Sequence, residues 1–272
     1  MIPSRQRSAS LRWRFLILFF IDGWFVKHCK VNKKLRVGAQ KLLFFIFYFY
    51  LCDTKSVFQL RYDTYIFDLD GTLLDTLTDL ANACNHALRT FNMPERTIDE
   101  VRQFVGNGVR RLMERAIPDG AANPQFEDVL PAFRDYYMKH QLDTTRPYPG
   151  VMQMLTELRN RGCRLAVVSN KFYDATCALC RHFFAGIVDV AIGERENIRK
   201  KPAPDTVNEA LRQLDASRET AVYVGDSDVD IMTAANAGIP CVSVLWGFRG
   251  RDFLIEHGAT TFIADPMELL DI

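Results

Sequence analysis

The chain has 272 residues, 48% hydrophobic and 25% charged, an ordinary globular composition that excludes a disordered, collagen-like or disulfide-dense protein. Its net charge of +1 conceals two parts of opposite sign, +9 over residues 1–60 and −8 over residues 61–272. An acidic body lacks the basic face that a nucleic-acid backbone needs, so no nucleic acid is expected as a partner, and any phosphate it handles should be small or metal-bound.

Residues 1–60 hold 13 of the 32 aromatic residues, in two apolar runs flanked by Arg and Lys. Each run is about eleven or twelve residues long, too short for a spanning helix of ~20. The segment reads as an extension outside the working protein, through a start assigned too far upstream, as a membrane or targeting segment, or as a folded part of the protein. Membrane contact is expected only through these residues.

From Thr64 onward the pattern is regular. Tyr65-Ile66-Phe67 is a short apolar run ending in polar residues, as in a strand buried on both faces. Residues 79–145 then show only helical periodicity, through Leu80, Ala83, Cys84, Ala87, Leu88 and Phe91 and later Phe126, Val129, Leu130, Phe133 and Tyr137. Pro131 should kink that last helix or occupy its first turn. Tyr148-Pro149-Gly150 marks the return to strands, predicted at 165–168, 187–192, 221–224, 241–245 and 261–263. Helices are predicted from Val151 to Gly162 and at 173–184, 205–214 and 229–237.

Alternating strands and helices imply an α/β protein, a doubly wound, Rossmann-like parallel sheet with an inserted α-helical cap. The expected division is 1–60 extension, 61–78 with 146–272 catalytic core, and 79–145 cap. The seven cysteines are scattered without a framework, which fits a reduced, cytoplasmic protein. Cys177 and Cys180, the only CxxC, fall in a helical stretch and are expected to pack in the core. The five histidines have no metal-ligand spacing.

In a parallel sheet the chemistry gathers beyond the carboxyl ends of the strands. There the sequence places Asp68-Leu69-Asp70-Gly71-Thr72 after the first strand, Ser169-Asn170 after the second, Lys201-Pro202 after the third and Gly225-Asp226-Ser227-Asp228-Val229-Asp230 after the fourth. Each is ordinary alone, since D-x-D-G occurs in turns and calcium loops. Their order on successive strand ends is not ordinary. Crowded carboxylates call for a hard cation with oxygen ligands, and an open site of this kind suits Mg²⁺ with a phosphorylated substrate. Two carboxylates two residues apart can divide the work, one attacking phosphorus and the other moving protons. The turn at Gly71 should leave backbone N–H groups for phosphate oxygens.

Phe67-Asp68-Leu69-Asp70-Gly71-Thr72-Leu73-Leu74-Asp75-Thr76, Val167-Val168-Ser169-Asn170, Lys201-Pro202 and Gly225-Asp226-Ser227-x-x-Asp230 resemble, in order, the four motifs of the haloacid dehalogenase superfamily. The resemblance runs from about Arg61 to the C-terminus, and the helical insert is similar to that family's small α-helical cap. It implies Asp68 as nucleophile, Asp70 as general acid and base, and Ser169 and Lys201 holding the phosphoryl group. It also implies Mg²⁺ on the Asp68 carboxylate, the Asp70 backbone carbonyl and Asp226, with Asp230 supporting them from behind. Gly71, Thr72 and Asn170 are expected to touch substrate.

Residues 101–111, around Gly106-Asn107-Gly108, and Trp246-Gly247-Phe248-Arg249-Gly250 resemble phosphoglycolate phosphatases. The expected activity is therefore Mg²⁺-dependent phosphomonoester hydrolysis through an aspartyl-phosphate, on a small phosphorylated metabolite, 2-phosphoglycolate first. Alternatives within the superfamily are a sugar-phosphate phosphomutase and a pyrophosphatase or nucleotidase; outside enzymology, the alternative is a binding module. In the cap, Asn107 and Arg110 are expected at the substrate, Arg110 as a bidentate clamp on a carboxylate, the alternative being a solvated surface charge near Arg111 and Arg115.

Overall fold

The computed structural model describes residues 61–272, and the expectations for residues 1–60 lie outside the described residues. In chain order the elements are β1 (Thr64–Phe67), β2 (Leu74–Asp75), α1 (Leu77–Thr90), α2 (Ile98–Phe104), α3 (Val109–Ala116), α4 (Phe126–His140), β3 (Arg146–Pro147), α5 (Val151–Asn160) and β4 (Arg164–Phe172). They continue with α6 (Tyr173–Phe184), β5 (Val190–Glu194), α7 (Asp205–Leu214), β6 (Ala221–Gly225), α8 (Asp228–Ala237), β7 (Cys241–Val244), α9 (Arg251–Glu256) and β8 (Phe262–Ile263), and a 3-10 turn spans Pro266–Asp271.

Six strands form one parallel sheet in the order β5-β4-β1-β6-β7-β8. The chain winds outward from β1 in one direction through β4 and β5 and in the other through β6, β7 and β8. Its order therefore reverses between β1 and β6, where a crevice opens at the carboxyl ends. Side chains alternate across the sheet. Tyr65, Phe67, Leu165, Val167, Val222 and Val224 pack with α5 and α6 on one face, and Ile66, Ala166, Val168 and Tyr223 pack with α7 and α8 on the other. Burial on both faces explains why the strands read as continuous apolar runs.

The helical insert α1–α4 has its own apolar centre, including Leu88, Met113, Phe133 and Tyr137. A capping box of Thr97 and Glu100 starts α2. Pro131 lies inside α4, in its second turn rather than its first. The insert leaves and rejoins the core through the antiparallel pair β2–β3, which the sequence reading lacked; α1 begins two residues before the expected boundary. Beside that stem the buried Asp79 carboxylate accepts hydrogen bonds from the backbone N–H and the hydroxyl of both Thr144 and Thr145, at 2.6–3.1 Å. The entry and exit of the insert are thus pinned by one side chain.

Two strands differ from expectation. The strand predicted at 187–192 is Val190–Glu194, because the N–H groups of Ile187 and Val188 return to the Phe184 carbonyl and close α6. The strand predicted to end at Val168 runs on to Phe172, with a register shift against β5 between those residues. Cys180 is buried in the core and Cys177 half-buried, both as free thiols. Among the described residues no helix is long and apolar enough to cross a membrane.

Candidate active site

β1 and β6 end side by side at the reversal point, and their next residues face one crevice. Asp68 follows β1, its backbone N–H bonded to the Val224 carbonyl, and Asp226 follows β6. Carboxylate oxygens of Asp68, Asp226 and Asp230 all lie within 4.8 Å of one another, and all three residues are buried. One ammonium faces this group: Lys201 Nζ is 2.8 Å from Asp68 Oδ1 and 2.8 Å from Asp230 Oδ1, and donates to the Tyr223 hydroxyl at 3.0 Å.

Charge and burial act together here. Burial, and after it the Asp230 charge, push the Asp68 carboxyl well above the usual carboxylate range, against the pull of Lys201. The same two causes raise Asp226 to about 7, while the Phe248 N–H and the Thr72 hydroxyl work against them. Burial opposes the charge on Lys201, yet Asp230 and Asp68 more than offset it and hold the ammonium protonated above its ordinary range.

Asp230 is already saturated. Its Oδ2 accepts from the N–H groups of Asp226 and Ser227 and from the Ser227 hydroxyl, and its Oδ1 from Lys201 and Tyr223. That leaves Asp68 and Asp226 as the carboxylates with capacity to spare. Buried, oxygen-only and short of positive charge, this donor set fits a hard divalent cation.

Asp70 sits apart from that group. Its Oδ1 is 3.1 Å from Lys171 Nζ and accepts from the Thr76 hydroxyl at 2.7 Å. Ser169 is buried on the pocket wall beside Asp68, Asp70 and Lys171. Asn170 lines the same wall with its amide engaged: Nδ2 donates to the Gly106 and Lys201 carbonyls and Oδ1 accepts from the Lys201 N–H. It therefore ties the Lys201 loop to the cap turn.

Four expected substrate contacts are placed elsewhere. The N–H of Gly71 is taken by the Leu74 carbonyl at 2.9 Å. What the position requires is the missing side chain, since a Cβ there would lie 2.5 Å from Asp226 Oδ2 and φ is +84°. Thr72 is fully buried and donates to Asp226 Oδ1 at 3.1 Å, orienting that carboxylate. Asn107 accepts from Arg115 at 3.0 Å.

Arg110 is exposed, bonded through both terminal nitrogens to Glu127 at 2.5 and 3.0 Å and stacked over Phe126. The reason is helical phase: Val109, Leu112, Met113 and Ala116 form the buried face of α3, which turns the residue after Val109 outward. The carboxylate clamp assigned to Arg110 is thus corrected.

Two charged pocket residues escaped the sequence reading. Lys171 is buried in the extension of β4, where an apolar run followed by Ser169-Asn170 reads as finished. Arg249, in the loop after β7, lines the pocket and donates to the carbonyls of Arg102, Gln103 and Val105 at the end of α2, at 2.7–3.3 Å. The Trp246–Gly250 motif was the signal for it.

Residues 65–244 match the family model for haloacid dehalogenase-like hydrolases. Over 207 residues the chain is 32% identical to a phosphoglycolate phosphatase of Aquifex aeolicus, covering 76% of this chain and 95% of that one. A phosphoglycolate phosphatase of Rhodobacter capsulatus is 35% identical, with 68% and 84% covered. A solved structure from Lactobacillus delbrueckii subsp. bulgaricus is 36% identical, with a TM-score of 0.74 over 77% of this chain and 97% of that one. CbbY from Rhodobacter sphaeroides, solved in complex with phosphate, is 27% identical, with a TM-score of 0.64 over 78% of this chain and 100% of that one.

Proposed function

The chain belongs to the haloacid dehalogenase-like hydrolases and is a phosphatase of that family, and from this premise we propose that it hydrolyses 2-phosphoglycolate in an Mg²⁺-dependent reaction through an aspartyl-phosphate. The observation that carries the reading is the pairing at the reversal point: Asp68, held by Lys201 at 2.8 Å, faces Asp226 while Asp70 stands on a separate cation.

In this reading the Asp68 carboxylate attacks phosphorus and the bond from phosphorus to the substrate oxygen breaks. The Asp70 carboxyl gives its proton to that departing oxygen, releasing glycolate. Water then attacks the aspartyl-phosphate, Asp70 takes a proton from it, and the Asp68–phosphorus bond breaks to release inorganic phosphate. Both carboxyl groups return to their starting states. The Ser169 hydroxyl and the Lys201 ammonium hold phosphoryl oxygens, and Asp230 fixes Lys201 from behind.

The carboxylates of Asp68 and Asp226 and the backbone carbonyl of Asp70 would hold the Mg²⁺. When bound, the ion neutralises charge on the phosphoryl oxygens. Arg249 is the guanidinium on the pocket wall, and the N–H groups it does not spend on the carbonyls at the end of α2 are suited to a substrate carboxylate, the task first assigned to Arg110. The family names of the relatives and the phosphate bound in one structural neighbour support a small phosphate ester as substrate.

The test is phosphate release from 2-phosphoglycolate against other esters, with Mg²⁺ and with chelator, followed by acid quench and peptide mass spectrometry. Phosphate on Asp68 and Mg²⁺-dependent glycolate formation are expected. Phosphate on another side chain, or an isomerised sugar phosphate without phosphate release, would overturn the reading.

A further inference from the structure

Lys171 is a buried cation that the reaction described above leaves without a task. It is 4% exposed. Its ammonium is 3.1 Å from Asp70 Oδ1 and donates to the Tyr137 hydroxyl at 2.8 Å, lying 4.5 Å from the centre of that ring. A buried ammonium is costly unless paired and hydrogen-bonded, so its two partners are the reason it can be there at all. Burial alone would favour the neutral amine, but Asp70 and Tyr137 more than offset that and keep it charged.

The partners come from different parts of the molecule. Tyr137, itself 1% exposed, belongs to α4, the last helix of the cap, whereas Lys171 belongs to the core strand β4. The same Asp70 oxygen also accepts from Thr76, in the stem where the chain enters the cap. Ser169 stands two residues before Lys171 on that strand, and both side chains line the same pocket as Asp68 and Asp70. One strand thus presents a hydroxyl to the phosphoryl position and an ammonium to Asp70. The ammonium's remaining support comes from the cap.

We propose that Lys171 is a positioning residue: braced by Tyr137, it fixes the Asp70 carboxyl for proton transfer and makes that alignment depend on α4 being docked against the core. The proposal rests on the reading of Asp70 as acid and base. Its consequence is that protonation of the leaving oxygen and activation of water are confined to the closed molecule.

The experiment uses the full chain as Lys171→Met, Tyr137→Phe and, as reference, Asp70→Asn. Two esters are compared: 2-phosphoglycolate, whose alkoxide needs a proton to leave, and p-nitrophenyl phosphate, whose phenolate does not. With the aryl ester a rapid-mixing burst of nitrophenolate isolates the first step. For Lys171→Met, the expected result is a fall in kcat of about 100-fold on 2-phosphoglycolate, within the range of lost acid–base catalysis. KM should be unchanged and the nitrophenolate burst rate retained within about threefold. Tyr137→Phe should show the same asymmetry at about three- to tenfold.

A nitrophenolate burst rate that falls as far as kcat on 2-phosphoglycolate, or a raised KM with kcat kept, would overturn the proposal by placing Lys171 in phosphate binding or the fold. Wild-type kinetics in either folded variant would overturn it as well. If Lys171→Met does not fold, Tyr137→Phe, which removes a single oxygen, decides alone. Absence of the asymmetry in Asp70→Asn would sink the acid–base reading itself, and that result is distinct from its presence there and absence in Lys171→Met.

Discussion

Replacing Gly71 by alanine tests whether the turn after β1 is shaped around Asp226. The new Cβ would lie 2.5 Å from Asp226 Oδ2 and 2.8 Å from its Cγ. Non-bonded contacts settle near ~3.5 Å, so the carboxylate must retreat by about 1 Å. It is not free to do so, because Oδ2 accepts from the Phe248 N–H at 2.7 Å and Oδ1 from the Thr72 hydroxyl at 3.1 Å. Losing one hydrogen bond to a charged group costs about 1.5–3 kcal/mol. The positive φ adds about 1–2 kcal/mol for a residue with a Cβ, and the expected loss of stability is about 2.5–5 kcal/mol.

Gly162 supplies the control. Its φ is +83° and a Cβ there meets nothing within 4 Å, so Gly162→Ala carries the backbone cost alone. Urea unfolding of both variants in chelator should separate them by about 1.5–3 kcal/mol. A ligand shifted by about 1 Å also exceeds the ~0.2 Å tolerance of a metal site. The Mg²⁺ concentration for half-maximal activity should therefore rise at least about tenfold in Gly71→Ala and stay unchanged in Gly162→Ala. Equal destabilisation of the two variants with unaltered metal dependence would refute the crowding argument.

Asp79→Ala removes the acceptor shared by Thr144 and Thr145 and should cost about 3–4 kcal/mol, read by calorimetry as a fall in Tm of about 6–15 °C; a shift under two degrees would mean that water replaces the carboxylate at no cost. Arg110→Ala should leave both Tm and kcat/KM unchanged on every ester, and a selective loss on 2-phosphoglycolate would reinstate the clamp. Arg249→Ala should lower kcat/KM for 2-phosphoglycolate about 10- to 100-fold more than for an aryl phosphate, whereas equal loss on both would assign it to holding the cap alone. Asp68→Asn should give neither turnover nor trapped phosphoenzyme while unfolding no earlier than wild type, since it relieves one of three crowded carboxylates.

The sequence was most legible where chemistry and local pattern coincide. Asp68, Asp70, Ser169 and Asp226 could be picked out because each follows a short apolar run, and a parallel sheet brings such positions to one edge; Lys201 lies farther on, in the loop after β5, and was picked out by its place in the order of the motifs. The supporting place of Asp230 came from the family resemblance, and its carboxylate is taken up by Lys201, Tyr223, Ser227 and two backbone N–H groups. Arg110 misled because the orientation of α3 is decided by Val109 and Leu112 packing into the cap, which spacing from Gly108 alone does not reveal. Lys171 was hidden by β4 continuing past its apolar stretch, its charge tolerated only through Asp70 and Tyr137, far away in the chain. The Asp79 contacts to Thr144 and Thr145 likewise join residues with no local signal. Residues 187–188 read as strand by composition, but their N–H groups serve the end of α6.

The position of β1 also dictates an order of events during synthesis. Its partners in the sheet are β4, in register from Thr64 with Arg164, and β6, in register from Thr64 with Ala221. Every residue of α1–α4 leaves the ribosome before either partner exists. The four helices contact one another at short sequence distance and can consolidate early, whereas the sheet waits on pairings that close long stretches of chain, the slow kind of step. Until β4 arrives, Tyr65, Ile66 and Phe67 have no strand to pair with and are open to misassociation. By then β2 and β3 have both been made, so their pairing, with Asp79 on Thr144 and Thr145, can draw the two ends of the insert together and shorten the loop that β1 and β4 must close.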